Sequence, residues 1–254
     1  MTATVDLNAD LGEGFGAWSM GDDDGLLSVV SSANVACGFH AGDPQIMRRV
    51  CTIAVARGVA LGAHVAYRDL AGFGRRALDV PVDDIRDDVL YQLAALDGFA
   101  RAAGGAVRYL KPHGALYNRA VDDPGAASAV VGAATDFGGG IAVLALPGSE
   151  LLRAAAAAGL EGVEEGYVDR AYDDRGRLVP RSQKGAVLHD VDAMIARTVR
   201  MATTGTVAAA GGADLDARIR SLCVHGDTPG ALDMARRVRA GLEAAGVTIR
   251  PFTA

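Results

Sequence analysis

The chain has 254 residues, half of them hydrophobic and only 5% aromatic, with a formal charge of −6. Net acidity excludes a nucleic-acid backbone as partner, because phosphate contact needs a basic face. No apolar run approaches the ~20 residues that span a bilayer. Cys37, Cys51 and Cys223 are odd in number and have no CxxC spacing, which excludes a disulfide framework. The opening MTATVDLNAD has no basic segment followed by an apolar stretch, so a cytoplasmic protein is expected.

Short apolar runs alternate with helical segments along the chain. The predicted strands are 4–11, 33–38, 59–65, 106–112, 141–146, 163–169 and 220–225. Helices are predicted near 22–31, 44–57, 82–103, 124–136, 148–158, 190–204 and 229–245. Asp43-Pro44, Asp123-Pro124 and Thr228-Pro229 each place a side-chain cap before a proline suited to the first helical turn. Gly58, Gly159 and Gly246 stand where C-terminal caps belong. The polar stretch 170–189 reads as a long loop, and 206–217 as a short hairpin turning at Gly211-Gly212. With no internal repeat and no linker, residues 1–254 are expected to form one domain.

Seven strands alternating with helices predict a parallel sheet, open or closed. Six of the seven end in polar or ionisable residues, which favours a closed barrel with a common mouth over an open sheet with one switch point. Period two sharpens the point. Asp6, Asn8 and Asp10 share one face of the first strand, and Tyr109, Lys111 and His113 share one face of the fourth. His225 and Asp227 do so at the end of the seventh. Inward acids and imidazoles are costly unless paired or functional. The expected architecture is therefore a seven-stranded, TIM-like (β/α) barrel whose mouth carries the chemistry.

Four of the five histidines, His40, His64, His113 and His225, close a strand segment and so converge on that mouth. Imidazole is the side chain poised to move protons near neutral pH. Asp10 and Glu13 in DLNADLGEGFG are candidate bases or metal ligands, whereas Asp6, deeper in the strand, reads as structural. Asp43 reads as a helix cap and Cys37 as a small buried hydrophobe. Arg75 and Arg76 are candidate anion holders, set against an equal chance of a solvated surface pair. Only two of the 25 basic residues are lysines, and Lys111 lies in a strand, where an ammonium needs an anionic partner. VDRAYDD adds Asp169 and Arg170, and CVHGDTPG adds His225 and Asp227. His189 is expected to be idle. GxxxxGK[ST], GxSxG and HExxH are all absent.

DLNADLGEGFG, NVACGFHAGDP, GAH…DLAGFGRR, KPHGALYN, DRAY…LVPR and CVHGDTP, in this order, resemble the LamB/YcsF family over nearly the whole chain. The resemblance implies a barrel related to glycoside hydrolase and deacetylase barrels. It also implies the role of the A subunit in an ATP-dependent 5-oxoprolinase, opening the lactam of 5-oxo-L-proline to L-glutamate together with subunits B and C. Ala9 stands where the family commonly has cysteine, which removes any thiol role there; Val65, Arg68 and Lys184 stand where it commonly has proline. For that reaction the candidate catalytic set is Asp10, Glu13, His40, His64, Lys111, His113, Asp169, His225 and Asp227. Asn8, Arg75, Arg76 and Arg170 are the candidate substrate contacts. Lys111, or else Arg170, would steady the developing anion. His40, His64 or Asp10 would act as base, and His113 or His225 as acid, oriented by Asp227 or Asp169. ATP, with no cradling loop in this chain, is expected to be handled mainly by the partner subunits, and the need for a divalent metal stays open. Two rival readings are a stand-alone metal-dependent amidohydrolase using Asp10, His40 and His64, and a non-catalytic subunit that binds a small acid.

Overall fold

A computed structural model of the chain describes residues 3–225 and 230–253. In chain order the elements are β1 (Thr4–Leu11), α1 (Asp23–Leu26), β2 (Ser32–Ala36), α2 (Pro44–Ala56), β3 (Ala60–Val65), α3 (Val82–Ala102), β4 (Val107–Pro112), α4 (Gly114–Asp122) and α5 (Pro124–Phe137). They continue with β5 (Ala142–Ala145), α6 (Glu150–Ala157), β6 (Gly162–Tyr167), α7 (Val191–Thr204), β7 (Thr206–Ala208), β8 (Asp214–Asp216), β9 (Ser221–Val224), α8 (Ala231–Ala244) and β10 (Thr248–Ile249). Strands β1 to β6 pair in sequence, β6 pairs with β9, and β9 returns to β1, all in parallel. This is the closed seven-stranded barrel that the strand ends predict. β10 adds a short parallel pairing to the start of β1.

The local signals explain most of the boundaries. Asp43 accepts from the Ile46 amide at 2.9 Å and caps α2, while Asp123 accepts from Gly125 and Ala126 and caps α5. Gly58, Gly159 and Gly246 all take positive φ just beyond their helices. The segment 206–217 is the expected hairpin: β7 and β8 pair antiparallel around Gly212. One expectation is corrected, and one helix is added to those expected. The helix near 22–31 shrinks to α1, which ends at its C-cap Leu27 and gives way to a turn over 27–29 before Ser31 donates to Asp6. The added helix, α4, begins directly after β4, and its N-cap His113 makes no side-chain capping bond. The last helix, expected near 229–245, runs over Ala231–Ala244 behind Gly230, and the Thr228-Pro229 cap lies outside the described residues.

Val5, Leu7, Ala9 and Leu11 of β1 join the main hydrophobic cluster with the surrounding helices. The opposite face fills the barrel with polar side chains. Ser31, Ser32 and Ser221 donate to Asp6, Asn8 donates to Ser221 at 2.7 Å, and Asn34 donates to Asn8 at 2.6 Å and to Asp10 at 2.8 Å. Tyr109 donates to Asn34 at 2.7 Å. A buried polar column of this kind is tolerated because its members satisfy one another. Burial still pushes Asp6 up to about 6 despite its three hydroxyl donors.

Tyr109 crosses the barrel only because Gly62, its cross-strand partner, offers no side chain; a methyl group there would overlap the ring. Gly62→Ala should therefore cost about 1–3 kcal/mol by overpacking. Gly98→Ala, on the exposed side of α3 with open space around the added methyl, should gain up to ~1 kcal/mol. Urea unfolding of the two variants checks the opposite signs.

Candidate active site

The carboxyl ends of the strands surround a cavity of about 460 Å³ lined by Asp10, His64, Arg75, Lys111, His113, Tyr167, Arg170 and His225, among others. Strand register sets the levels. His64 of β3 stands beside Lys111 of β4, and Ala36 of β2 stands beside His64. Four distant segments thus deliver their polar side chains to one place, as the strand-end histidines imply.

Lys111 is the centre of the floor and is almost fully buried. Its Nζ lies 2.7 Å from Glu165 Oε1 and 3.2 Å from Asp10 Oδ1, and it donates to Cys223 Sγ at 3.2 Å. The Tyr167 ring centroid is 5.1 Å away. Burial alone would lower the Lys111 pKa, but the carboxylates of Asp10 and Glu165 outweigh it and hold the amine well above its ordinary value. Asp10 answers in kind. Burial would raise it, yet His64 and the Lys111 ammonium keep it well below the usual carboxylate range. Burial pushes the Cys223 thiol up, so it stays protonated.

Sequence reasoning misses Glu165, and with it Asn34, Tyr117, Tyr167 and Cys223. Glu165 is fully buried and accepts from the Tyr117 hydroxyl at 3.3 Å. The signal that finds it is period two on β6: counting back from Asp169 lands on Tyr167 and then Glu165.

On one wall His225 Nδ1 faces both Asp169 oxygens, at 2.8 and 2.9 Å, and its ring stacks on Tyr167 at 5.5 Å. Burial would lower His225, but the Asp169 carboxylate outweighs it and raises the imidazole above 6.5. The same pairing overcomes burial at Asp169 and lowers its carboxyl.

On the other side His64 and His113 line the cavity, with the completely buried His40 packed against them. His113 stacks on His40 with ring centroids 3.9 Å apart, and its Nδ1 lies 2.9 Å from His64 Nε2. Glu13 Oε1 is 3.4 Å from His40 Nε2 and 3.6 Å from His113 Nδ1. The loop after β3 closes over this group. Phe73 is the only non-glycine residue of positive φ among the described residues (53°), and its carbonyl meets His113 Nε2 at 2.9 Å. A left-handed phenylalanine costs of order 1 kcal/mol or more, so the turn is held for that contact. Gly74, φ +65°, lies against His40 and His113 with no room for a side chain.

The other candidates divide. Arg75 and Arg170 line the cavity, joined by Arg177 and Arg181. Arg170 is fixed by donating to the Val179 carbonyl at 2.6 Å and the Ala186 carbonyl at 3.3 Å. Arg76 does not line it: its exposed guanidinium pairs with Asp69 and braces the loop. Asn8 does not either, being wholly buried one level below Asp10 in the polar column. Asp227 lies outside the described residues. Asp43 caps α2 and also accepts from the Gly16 amide, Cys37 is buried, and His189 is absent from the cavity lining.

A closed (β/α) barrel with charged and imidazole side chains gathered at the carboxyl ends of its strands has the architecture of a barrel hydrolase. The LamB/YcsF family model matches residues 5–254, and the chain belongs to that family. A Streptomyces coelicolor protein named as the A subunit of 5-oxoprolinase is 60% identical over 98% of this chain and 99% of its own length. The Nocardia farcinica protein of the same name is 55% identical over 98% of this chain and 99% of its own. The crystal structure of a lactam utilization protein from Thermus thermophilus superposes with a TM-score of 0.93 at 42% identity, covering 98% of this chain and 100% of that one.

Proposed function

We propose that this chain is the A subunit of an ATP-dependent 5-oxoprolinase, opening the lactam of 5-oxo-L-proline to L-glutamate in a cytoplasmic complex with subunits B and C. The observation that carries the reading is the Lys111 ammonium, buried at the cavity floor between Asp10 and Glu165. The names of relatives at 55% and 60% identity supply the substrate class.

A lactam carbonyl is a poor electrophile, and phosphorylation of its oxygen by the γ-phosphate of ATP overcomes this, with ADP leaving. Water then adds at the carbonyl carbon. The ring C–N bond breaks as its nitrogen takes a proton, giving an acyl phosphate that a second water hydrolyses to glutamate and phosphate. Lys111 stabilises the negative charge of the phosphoryl group as it transfers, the role for which a fixed cation in a dry site is most effective. His225 is the acid for the ring nitrogen: Asp169 holds Nδ1, which leaves Nε2 to the substrate, and its charge raises the imidazole pKa. Arg75, Arg170 and Arg181 at the rim suit the substrate carboxylate. ATP is bound mainly by the partner subunits, because the described cavity has no phosphate-cradling loop. The whole chain acts as one domain.

The test is glutamate formation from 5-oxo-L-proline, with ATP and the partner proteins each present or omitted. Turnover is expected only when all are present. Glutamate formed by this chain alone without ATP would favour a stand-alone amidohydrolase. Turnover that survives loss of both Lys111 and His225 would leave only a binding role.

A further inference from the structure

The imidazoles of the second wall are not used by the chemistry above, and their hydrogen-bond pattern poses a problem of its own. His64 Nδ1 faces the Lys111 carbonyl at 3.2 Å, and His113 Nε2 faces the Phe73 carbonyl at 2.9 Å. A carbonyl oxygen only accepts, so in the neutral rings each of these nitrogens carries the proton. That leaves His64 Nε2 and His113 Nδ1 as bare lone pairs, and they face each other at 2.9 Å. Two lone pairs at that separation repel unless a cation sits among them.

A carboxylate joins these rings. Glu13 Oε1 lies 3.4 Å from His40 Nε2 and 3.6 Å from His113 Nδ1. Neither ring nitrogen of His40, which is completely buried, finds a hydrogen-bond partner among the described residues.

We propose that Glu13, His40, His64 and His113 form a binding site for one divalent first-row transition metal, with zinc as the representative ion. One ligand atom from each lies within 4.8 Å of all the others. A tetrahedral zinc site with metal–nitrogen bonds of roughly 2.0–2.1 Å has ligand–ligand edges of roughly 3.3–3.4 Å. The observed separations of 2.9, 3.4 and 3.6 Å bracket that edge. Histidine ligands almost always donate their far N–H to a carbonyl or carboxylate, and His64 and His113 both do so. Three imidazoles and one carboxylate favour zinc, iron, cobalt or nickel over magnesium and calcium. Asp10 borders the set: its Oδ1 is held by Lys111 and Asn34, and its Oδ2 lies 3.4 Å from His64 Nε2. The left-handed turn at Phe73 then has a purpose, since it places the carbonyl that fixes the His113 tautomer.

The test needs neither ATP, 5-oxoproline nor the partner subunits, so it stands apart from the fate of the oxoprolinase reading. Chelator-treated full-length protein is titrated with zinc by calorimetry, and with cobalt(II) while visible absorption is recorded. One equivalent is expected to bind saturably, and cobalt should give the intense bands of a four-coordinate nitrogen–oxygen site. His40→Gln and Glu13→Gln should each weaken zinc binding by about 10–100-fold or more, with His189→Gln unchanged. No saturable equivalent in the wild-type protein would overturn the proposal, as would undiminished affinity in the two ligand variants. Should those variants fail to fold, the wild-type cobalt spectrum decides: four-coordinate bands support the site, and the pale spectrum of an aquated ion refutes it.

Discussion

Lys111→Ala should lower turnover by about a thousandfold or more in the reconstituted complex, and should also destabilise the chain by about 3–5 kcal/mol. The two effects have different origins. Catalysis loses the cation that meets the developing anion. Stability falls because Asp10 and Glu165, both buried, lose the ammonium lying 3.2 and 2.7 Å away. Breaking a buried pair by removing one member is costly, whereas removing both members together is far milder. Lys111→Met combined with Glu165→Gln should therefore recover much of the urea midpoint lost in the single variant, and none of the turnover. Recovery of both would show that the ammonium serves the fold alone. Glutamate release and urea unfolding, run on the same preparations, separate these outcomes.

The barrel is legible because strand ends and period two are properties of the chain itself. β1 can be read residue for residue, and its alternation places Asp10 on the inner face with Asp6 and Asn8. The same rule does not show depth. Asn8 lies one alternation, about 6.6 Å along the strand, below Asp10, and at that level the barrel has closed over it. Neighbouring arginines in a loop are harder still. Asp69 turns the chain so that Arg76 folds back onto it, while Arg75 reaches the cavity beside Phe73. Nothing local distinguishes the two. Glu165 escapes for another reason: the polar end of its strand, at Asp169, draws the eye from the inward acid two pleats earlier. Its partner Lys111 plainly needs an anion, and the alternation of β6 already contains the answer.

Asp169→Asn is expected to lower turnover by about 10²–10⁴-fold and to move the alkaline limb of the pH–rate profile to lower pH. His225 acts as an acid only while protonated, so wild-type activity should fall as pH rises through its raised pKa. The groups that set this value are Asp169 and Asp10, which raise it, and burial and Arg181, which lower it. With the Asp169 charge gone, burial dominates and the imidazole loses its proton earlier. Stability follows the same linkage. The contribution of His225, whose folded pKa is raised, is whole below 6.5 and is lost as pH climbs through the folded value. The contribution of Asp169, whose folded pKa is lowered, is whole above 3.8 and is lost as pH drops through its folded value. Both are complete between those limits, so the stability gap between wild type and Asp169→Asn should be wide at about pH 5 and narrow at about pH 9. Urea midpoints at the two pH values measure the gap. A gap that stays constant would mean that Asp169 supports the barrel through its hydrogen bonds alone, and a pH–rate profile unmoved by the substitution would remove His225 from proton transfer.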